Sequence, residues 1–133
     1  MHLVDCTEEY WDFVRVLRND PEVQDGFIEK ANISPQQQKE YMKKYSHGYK
    51  IAIHKNKPVG FIGVVDDDIR VCTSPDSQGK GVGKFMINEI IKIFPNAKAK
   101  IKIDNKASLK AFESCGFKKK YYILEKEDEA KSV

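Results

Sequence analysis

The hydrophobic pattern of this chain changes period along its length. Tyr10, Trp11, Phe13, Val14 and Leu17 recur at helical spacing behind Thr7, Glu8 and Glu9, which supply a cap and an acidic first turn. Asn19-Asp20-Pro21 ends that helix, and Met1 to Asp5 before it is a short strand candidate. Ser34-Pro35 starts a second helix in the favoured order of cap residue then proline, with Tyr41, Met42 and Tyr45 as its apolar stripe and an end near Gly48. Between the two helices, residues 24–33 contain Gly26 and the apolar pair Phe27 and Ile28, and read as a loop or a broken helix.

From Tyr49 the period shortens. Tyr49 to His54 alternates and Pro58 to Val65 is continuously apolar, with Lys55-Asn56-Lys57 as the hairpin turn between them. Asp66-Asp67-Asp68 makes the next turn and Ile69 to Thr73 the third antiparallel strand in a row. Helical spacing then returns, as Val82, Phe85, Met86, Ile90, Ile91 and Phe94 form one broad apolar face before Pro95-Asn96 stops the helix. Lys98 to Ile103 reads as a strand, Asn105 to Cys115 as a helix with Leu109, Ala111 and Phe112 inward and Gly116 as its C-cap, and Phe117 to Glu125 as a final strand. The pattern predicts one domain over residues 1–126 and a polar tail over 127–133, with no internal repeat.

Composition narrows the class. A length of 133 residues suits a single core, and 41% hydrophobic with 32% charged residues reads as a soluble globular protein. A net charge of +3 is too mild to argue for nucleic acid, and no apolar run approaches the roughly 20 residues of a membrane span. The N-terminus lacks a basic-then-apolar signal layout, so the cytoplasm is the expected location, and Asn32-Ile33-Ser34 is a chance sequon. Cys6, Cys72 and Cys115 are odd in number and lack metal-ligand spacing, which suits reduced thiols and no metal.

The chemistry concentrates after the third strand, in Gln78-Gly79-Lys80-Gly81-Val82-Gly83 leading straight into a helix. Glycines at every second position let the backbone approach a ligand and bare the first amides of the helix, whose unpaired N–H groups and positive dipole end attract an anion. The P-loop pattern fails because Lys84 is followed by Phe85, leaving no hydroxyl for magnesium, and a GxGxG spacing after a meander fits a dinucleotide fingerprint poorly. The spacing Gln-x-x-Gly-x-Gly after the strand exit resembles instead the acyl-CoA pyrophosphate loop of the GNAT superfamily of N-acyltransferases. The run Asn105-x-x-Ser108-x-x-x-Phe112-x-x-x-Gly116-Phe117 is similar to the C-terminal signature of the same superfamily, and with the strand order it extends the resemblance over nearly the whole chain.

The resemblance implies an α+β fold with a mixed, mostly antiparallel sheet whose fourth and fifth strands splay apart, flanked by about four helices, and an N-acetyltransferase that uses acetyl-CoA as cosubstrate. By position it implies that Gly79, Lys80, Gly81, Val82, Gly83 and Lys84 bind the pyrophosphate and that Val71, Cys72, Thr73, Asn105, Ser108 and Phe112 line the rest of the cosubstrate. Gln78 stands where many members have arginine, and Lys80 or Lys84 could replace the lost cation. A backbone N–H at about Thr73 would meet the oxyanion. The usual tyrosine acid is replaced by Phe112, which cannot donate a proton; Ser108, Tyr121 or Tyr122 could substitute, solvent could protonate the thiolate, or the chain could bind acyl-CoA without efficient turnover.

The general base is open among Glu29, His54 and the Asp66-Asp67-Asp68 turn, each of which also has a plain structural reading, and Cys72 reads as a buried small thiol rather than a nucleophile. Lys98, Lys100 and Lys102 share one face of their strand, either as a solvated face or, at Lys100 or Lys102, as the wall of a cleft for an anionic acceptor. The segment from Leu17 to Met42 is similar to the opening of GNAT enzymes that acetylate amino groups of nucleotide-linked sugars and of ribosomal-protein N-terminal acetyltransferases. A small-molecule amine such as an amino sugar is therefore the expected acceptor, a protein amine the runner-up and a non-catalytic acyl-CoA-binding module the third possibility, in a monomer or homodimer with no membrane or nucleic-acid partner.

Overall fold

The computed structural model describes residues 1–127. Its centre is a sheet of four antiparallel strands in the order β1 (His2–Asp5), β2 (Tyr49–His54), β3 (Lys57–Val65) and β4 (Asp68–Thr73). Both hairpin turns fall where expected but are one residue shorter, since Lys57 pairs with His54 and Asp68 with Val65; Lys55 and Asn56, then Asp66 and Asp67, all carry positive φ, the twist that tight two-residue turns require. A register irregularity between Ala52 and Ile53 lies opposite Pro58, whose missing N–H cannot complete a regular ladder.

Helices cover both faces of the sheet. On one face lie α1 (Trp11–Asn19), α2 (Pro21–Gln24) and α3 (Pro35–Tyr45), over a core that includes Val14, Leu17, Met42, Tyr49, Ile51, Phe61 and Cys72. On the other lie α4 (Val82–Ile93) and α5 (Lys106–Ser114), over Ile62, Val82, Met86, Ile87, Ile90 and Phe112. This double coverage explains why β3 is apolar throughout, and each of its fully buried large side chains contributes about 1.5–3 kcal/mol. Tyr49 lies flat over Gly63, where an added Cβ would come within 2.5 Å of its ring, so the glycine is required by the close approach.

Local chemistry sets the helix ends. Asp20 is extended, as a residue before proline must be, and its carboxylate accepts from Glu22 N–H; Pro21 therefore ends α1 and also starts the short α2. Ser34 and Gln37 form a reciprocal capping box at α3, while Gln38 is buried and donates to Trp11 O at 2.8 Å.

The two late strands are corrections. Lys98–Ile103 makes a single parallel bridge, Lys98 to Asp68, in which Ile69 N–H donates to Lys98 O at 2.8 Å and Lys98 N–H to Asp67 O at 2.7 Å. Beyond it the chain leaves the sheet edge, because Lys102 Nζ donates to Asp25 O at 3.1 Å and Lys102 O accepts from Asn105 N–H at 2.9 Å, turning the backbone into α5. Residues 117–125 then have no ladder to join: Phe117 packs edge-on against Phe112 at 5.1 Å, and Tyr121 and Tyr122 are exposed. Among the described residues there are five helices rather than about four, counting the one-turn α2. Residues 128–133 of the expected tail lie outside the described residues.

Candidate functional site

The edge of β4 is the first part of the site. Antiparallel ladders alternate between pairs that exchange hydrogen bonds and pairs that do not. Ser74 N–H donates to Val59 O at 2.9 Å, so with Thr73 opposite Gly60, Val71 opposite Ile62 and Ile69 opposite Val64, the N–H groups of these three residues point away from β3. Ile69 spends its N–H on Lys98 O, whereas Val71 and Thr73 have no main-chain partner for theirs among the described residues. The departure of residues 99–103 from the sheet leaves this stretch open, in the place where splayed fourth and fifth strands were expected.

The second part is the loop that β4 runs into. After a turn at Pro75–Ser77, Gln78 is extended and its side-chain amide reaches Thr73 O at 3.5 Å. Gly79 and Gly81 have φ of 77° and 81°, and a Cβ at either would meet nothing within 4 Å. The left-handed backbone, not space, is what demands glycine there. Gly81 is the N-cap of α4 without a side-chain cap; Phe85 is the first residue to donate back, to Gly81 O at 3.0 Å, so the amides of Val82, Gly83 and Lys84 are unpaired at the positive end of the helix. Lys80 and Lys84 are exposed beside them. Thr73 Oγ1 lies 3.8 Å from where a Cβ of Gly83 would stand, which joins the strand edge and the loop into one site.

The other expected residues fall around this line. Asn105 caps α5 by accepting from Ser108 N–H at 3.1 Å, and its amide nitrogen donates to Gly26 O at 3.0 Å, tying α5 to the loop after α2. Ser108 is half-buried and one turn ahead of the buried Phe112 on the same helix face. Cys72 is in the alternation opposite to Thr73: its thiol points into the core under α1–α3, where burial pushes it up to about 12. Glu29 is exposed in the loop between α2 and α3, and Tyr121 is 84% exposed. No group of three or more His, Cys, Asp and Glu that could hold a metal exists among the described residues, and no helix there is long and apolar enough to cross a membrane.

One cluster was not anticipated. Tyr41 Oη and Tyr49 Oη are 2.8 Å apart, and Arg70 Nη1 donates to Tyr41 Oη at 3.4 Å. Burial, followed by the neighbouring Tyr41, raises the Tyr49 phenol above its ordinary range. Burial works against the Arg70 charge, but Tyr41, Tyr49 and Asp68 more than offset it and leave its pKa raised. The available signal was an arginine inside the apolar strand IRVCT and hydroxyls on the core-facing stripe of α3 and β2. Beside this cluster, a cavity of about 350 Å³ opens between α1, residues 31–33 and α3.

Comparison with known proteins bears on the whole chain. The family model described as "Acetyltransferase (GNAT) family" matches residues 3–117. No curated protein sequence matches the chain. Among solved structures, similar folds include spermidine N-acetyltransferase from Vibrio cholerae in complex with CoA and spermine, with TM-score 0.80, 17% identity and coverage of 94% of this chain and 85% of that one. Ribosomal-protein-alanine N-acetyltransferase from Brucella melitensis gives TM-score 0.76 and 14% identity over 89% and 85% of the two chains. The aminoglycoside acetyltransferase AAC(6')-Ib in complex with coenzyme A gives 0.68 and 16% over 89% and 84%.

Proposed function

Since the chain belongs to the acetyltransferase (GNAT) family, we propose that it moves an acetyl group from acetyl-CoA to the primary amine of a small molecule, such as an amino sugar, by direct attack. The observation that carries this reading is the continuity of the open β4 edge, with the outward N–H groups of Val71 and Thr73, and the unpaired amides at the start of α4. A thioester substrate with a pyrophosphate at one end needs both in that order. A compact acceptor is supported by the complex of the similar Vibrio cholerae enzyme with spermine, and the open depression beside Tyr41 is one surface able to receive it.

In this reading the amides of residues 81–84 hold the pyrophosphate, assisted by Lys80 and Lys84, and Gln78 keeps the loop against Thr73. Gly79, Gly81 and Gly83 with Val82 shape the cradle, Val71 N–H pairs with the pantetheine arm, and Asn105 borders the same arm from α5. The thioester carbonyl sits at Thr73 N–H, which is fixed by the strand before the reaction begins and so stabilises developing negative charge without reorganisation. The amine attacks, its proton passes to a base for which Glu29 is one candidate or to solvent, and CoA leaves as a thiolate. Phe112, buried against Phe117, cannot protonate that thiolate; Ser108, one turn away on the same face of α5, and Tyr121 are the candidates to do so.

The test is CoA release, read with a thiol-reactive dye, across free amino sugars, nucleotide-linked amino sugars, polyamines and peptides. Release with a small amine is expected. Release with peptides alone would transfer the reading to a protein amine, and tight acetyl-CoA binding with no release from any acceptor would make the chain a binding module.

A further inference from the structure

The cavity between α1 and α3 carries a guanidinium with no carboxylate to pair with among the described residues. It is bordered by Arg18, Ala31, Asn32, Ile33, Gln38 and Tyr41, among others. Two of its main-chain acceptors are already occupied: Ala31 O by the side-chain amide of Gln24, and Ile33 O by Asn19 Nδ2 at 2.8 Å and Arg15 Nη1 at 3.4 Å. The Gln38 amide nitrogen is spent on Trp11 O.

The donors are left over. Arg18 is half-buried and makes no ion pair among the described residues; the nearby Asp20 carboxylate is engaged with Glu22 N–H. Tyr41 is oriented by its neighbours. Tyr49 is fully buried and shares a 2.8 Å hydrogen bond with Tyr41 in which either oxygen can donate, and Arg70 donates to Tyr41 Oη at 3.4 Å. In the arrangement with Tyr49 as donor, which gives the buried phenol its acceptor, Tyr41 Oη accepts twice and its own proton points outward. Arg70 has donors to spare, since its carboxylate contact, Asp68, is at 3.9 Å. A half-buried guanidinium without an ion-pair partner among the described residues and a phenol O–H on the same wall form a receptor for a planar or tetrahedral anion.

We propose that this cavity binds an anionic group of the amine acceptor, a carboxylate or a phosphate, with Arg18 and the Tyr41 hydroxyl in contact with it and Arg70 positioning Tyr41. The acceptor class is then an amine that carries a negative charge away from the nucleophile. This placement differs from a cleft at Lys102, whose ammonium is held by Asp25 O and lies 3.9 Å from Asp104. The assignment of the anion to the acceptor rests on the N-acetyltransferase reading; the anion site itself does not.

Two measurements separate these. Initial rates with glucosamine and glucosamine 6-phosphate at saturating acetyl-CoA should favour the phosphate by about tenfold or more in kcat/KM, the scale of one charge-assisted contact. Arg18→Gln should erase that preference through KM while leaving the neutral amine within about twofold, and Arg18→Lys should restore part of it. Tyr41→Phe and Arg70→Gln should each raise KM for the charged acceptor with kcat unchanged. No preference in the native protein, or an equal loss on both amines in Arg18→Gln, overturns the proposal. Thermal stabilisation by glucose 6-phosphate and by glucuronate, neither of which has an amine, distinguishes phosphate from carboxylate and needs no turnover. Stabilisation that is lost in Arg18→Gln supports the anion site even if no amine is acetylated. No stabilisation by either overturns it even if acetylation proceeds.

Discussion

Replacing Thr73 by proline tests the strand edge directly, because the residue's N–H points away from β3 and proline removes it; Thr73→Val, which removes the hydroxyl but keeps the N–H, is the control. In the register found here Thr73 faces Gly60 across a pair that exchanges no hydrogen bonds, so Thr73→Pro breaks no rung of the ladder. Cys72, one residue earlier, faces Phe61 across a bonded pair, and proline there removes a rung in a buried strand. The expected stability losses therefore differ: Thr73→Pro loses only what bringing an extended φ to proline's value costs, on the order of 1–2 kcal/mol, whereas Cys72→Pro adds a broken rung, for about 3 kcal/mol or more. Activity should behave in the opposite sense to stability. If Thr73 N–H meets the oxyanion, losing it lowers kcat by about 10²–10³-fold, or about 2.7–4 kcal/mol of barrier, while the KM for acetyl-CoA changes little because the pyrophosphate loop is untouched. Urea denaturation and steady-state CoA release on the two variants give both numbers. A Thr73→Pro protein that is folded, binds acetyl-CoA and keeps kcat within about threefold of the native value would refute the oxyanion role, and one that unfolds as readily as Cys72→Pro would refute the register argument.

Gly81→Ala should cost about 1–2 kcal/mol in denaturant unfolding, since φ is 81° and no neighbour obstructs the new methyl; an unchanged midpoint would mean that the left-handed cap relaxes freely. Asn105→Ala removes both the α5 cap and the contact with Gly26 O, and should lower stability by about 1–2 kcal/mol and weaken acetyl-CoA binding by calorimetry, whereas Asn105→Asp, which keeps the cap alone, should recover only the stability. The Cys72 thiol should resist iodoacetamide at pH 8 while the half-exposed Cys115 reacts, as mass spectrometry of the alkylated peptides would read out. Because burial raises the folded Cys72 pKa to about 12 from 9.0, its contribution to stability is complete below pH 9 and is lost as pH rises towards 12, at about 1.4 kcal/mol per pH unit in that window; alkaline unfolding with the same slope in Cys72→Ala would contradict this.

The sequence by itself determined the parts that rest on local chemistry. Serine and proline at residues 34–35, Lys55-Asn56 and Asp66-Asp67 at the hairpin turns, and glycines at 79 and 81 each satisfy a backbone requirement within a few residues, so the longer helices, the meander and the amides at the start of α4 were legible in order. The signature from Asn105 to Phe117 was legible as a motif, and the family model covers it. Tertiary structure decided whatever depends on a partner distant in sequence. Residues 98–103 alternate like a strand, yet Lys102 and Asn105 bond to the Asp25–Gly26 turn and draw the backbone from the sheet after one bridge, so alternation alone could not make a strand and residues 117–125 had no edge to join. The direction of the Thr73 N–H follows from the β3–β4 register, which one residue of slip would reverse. The cluster of Arg18, Tyr41, Tyr49 and Arg70 draws on α1, α3, β2 and β4, and only their packing brings Arg18 and Tyr41 to one cavity wall with Tyr49 and Arg70 bonded to Tyr41 behind it.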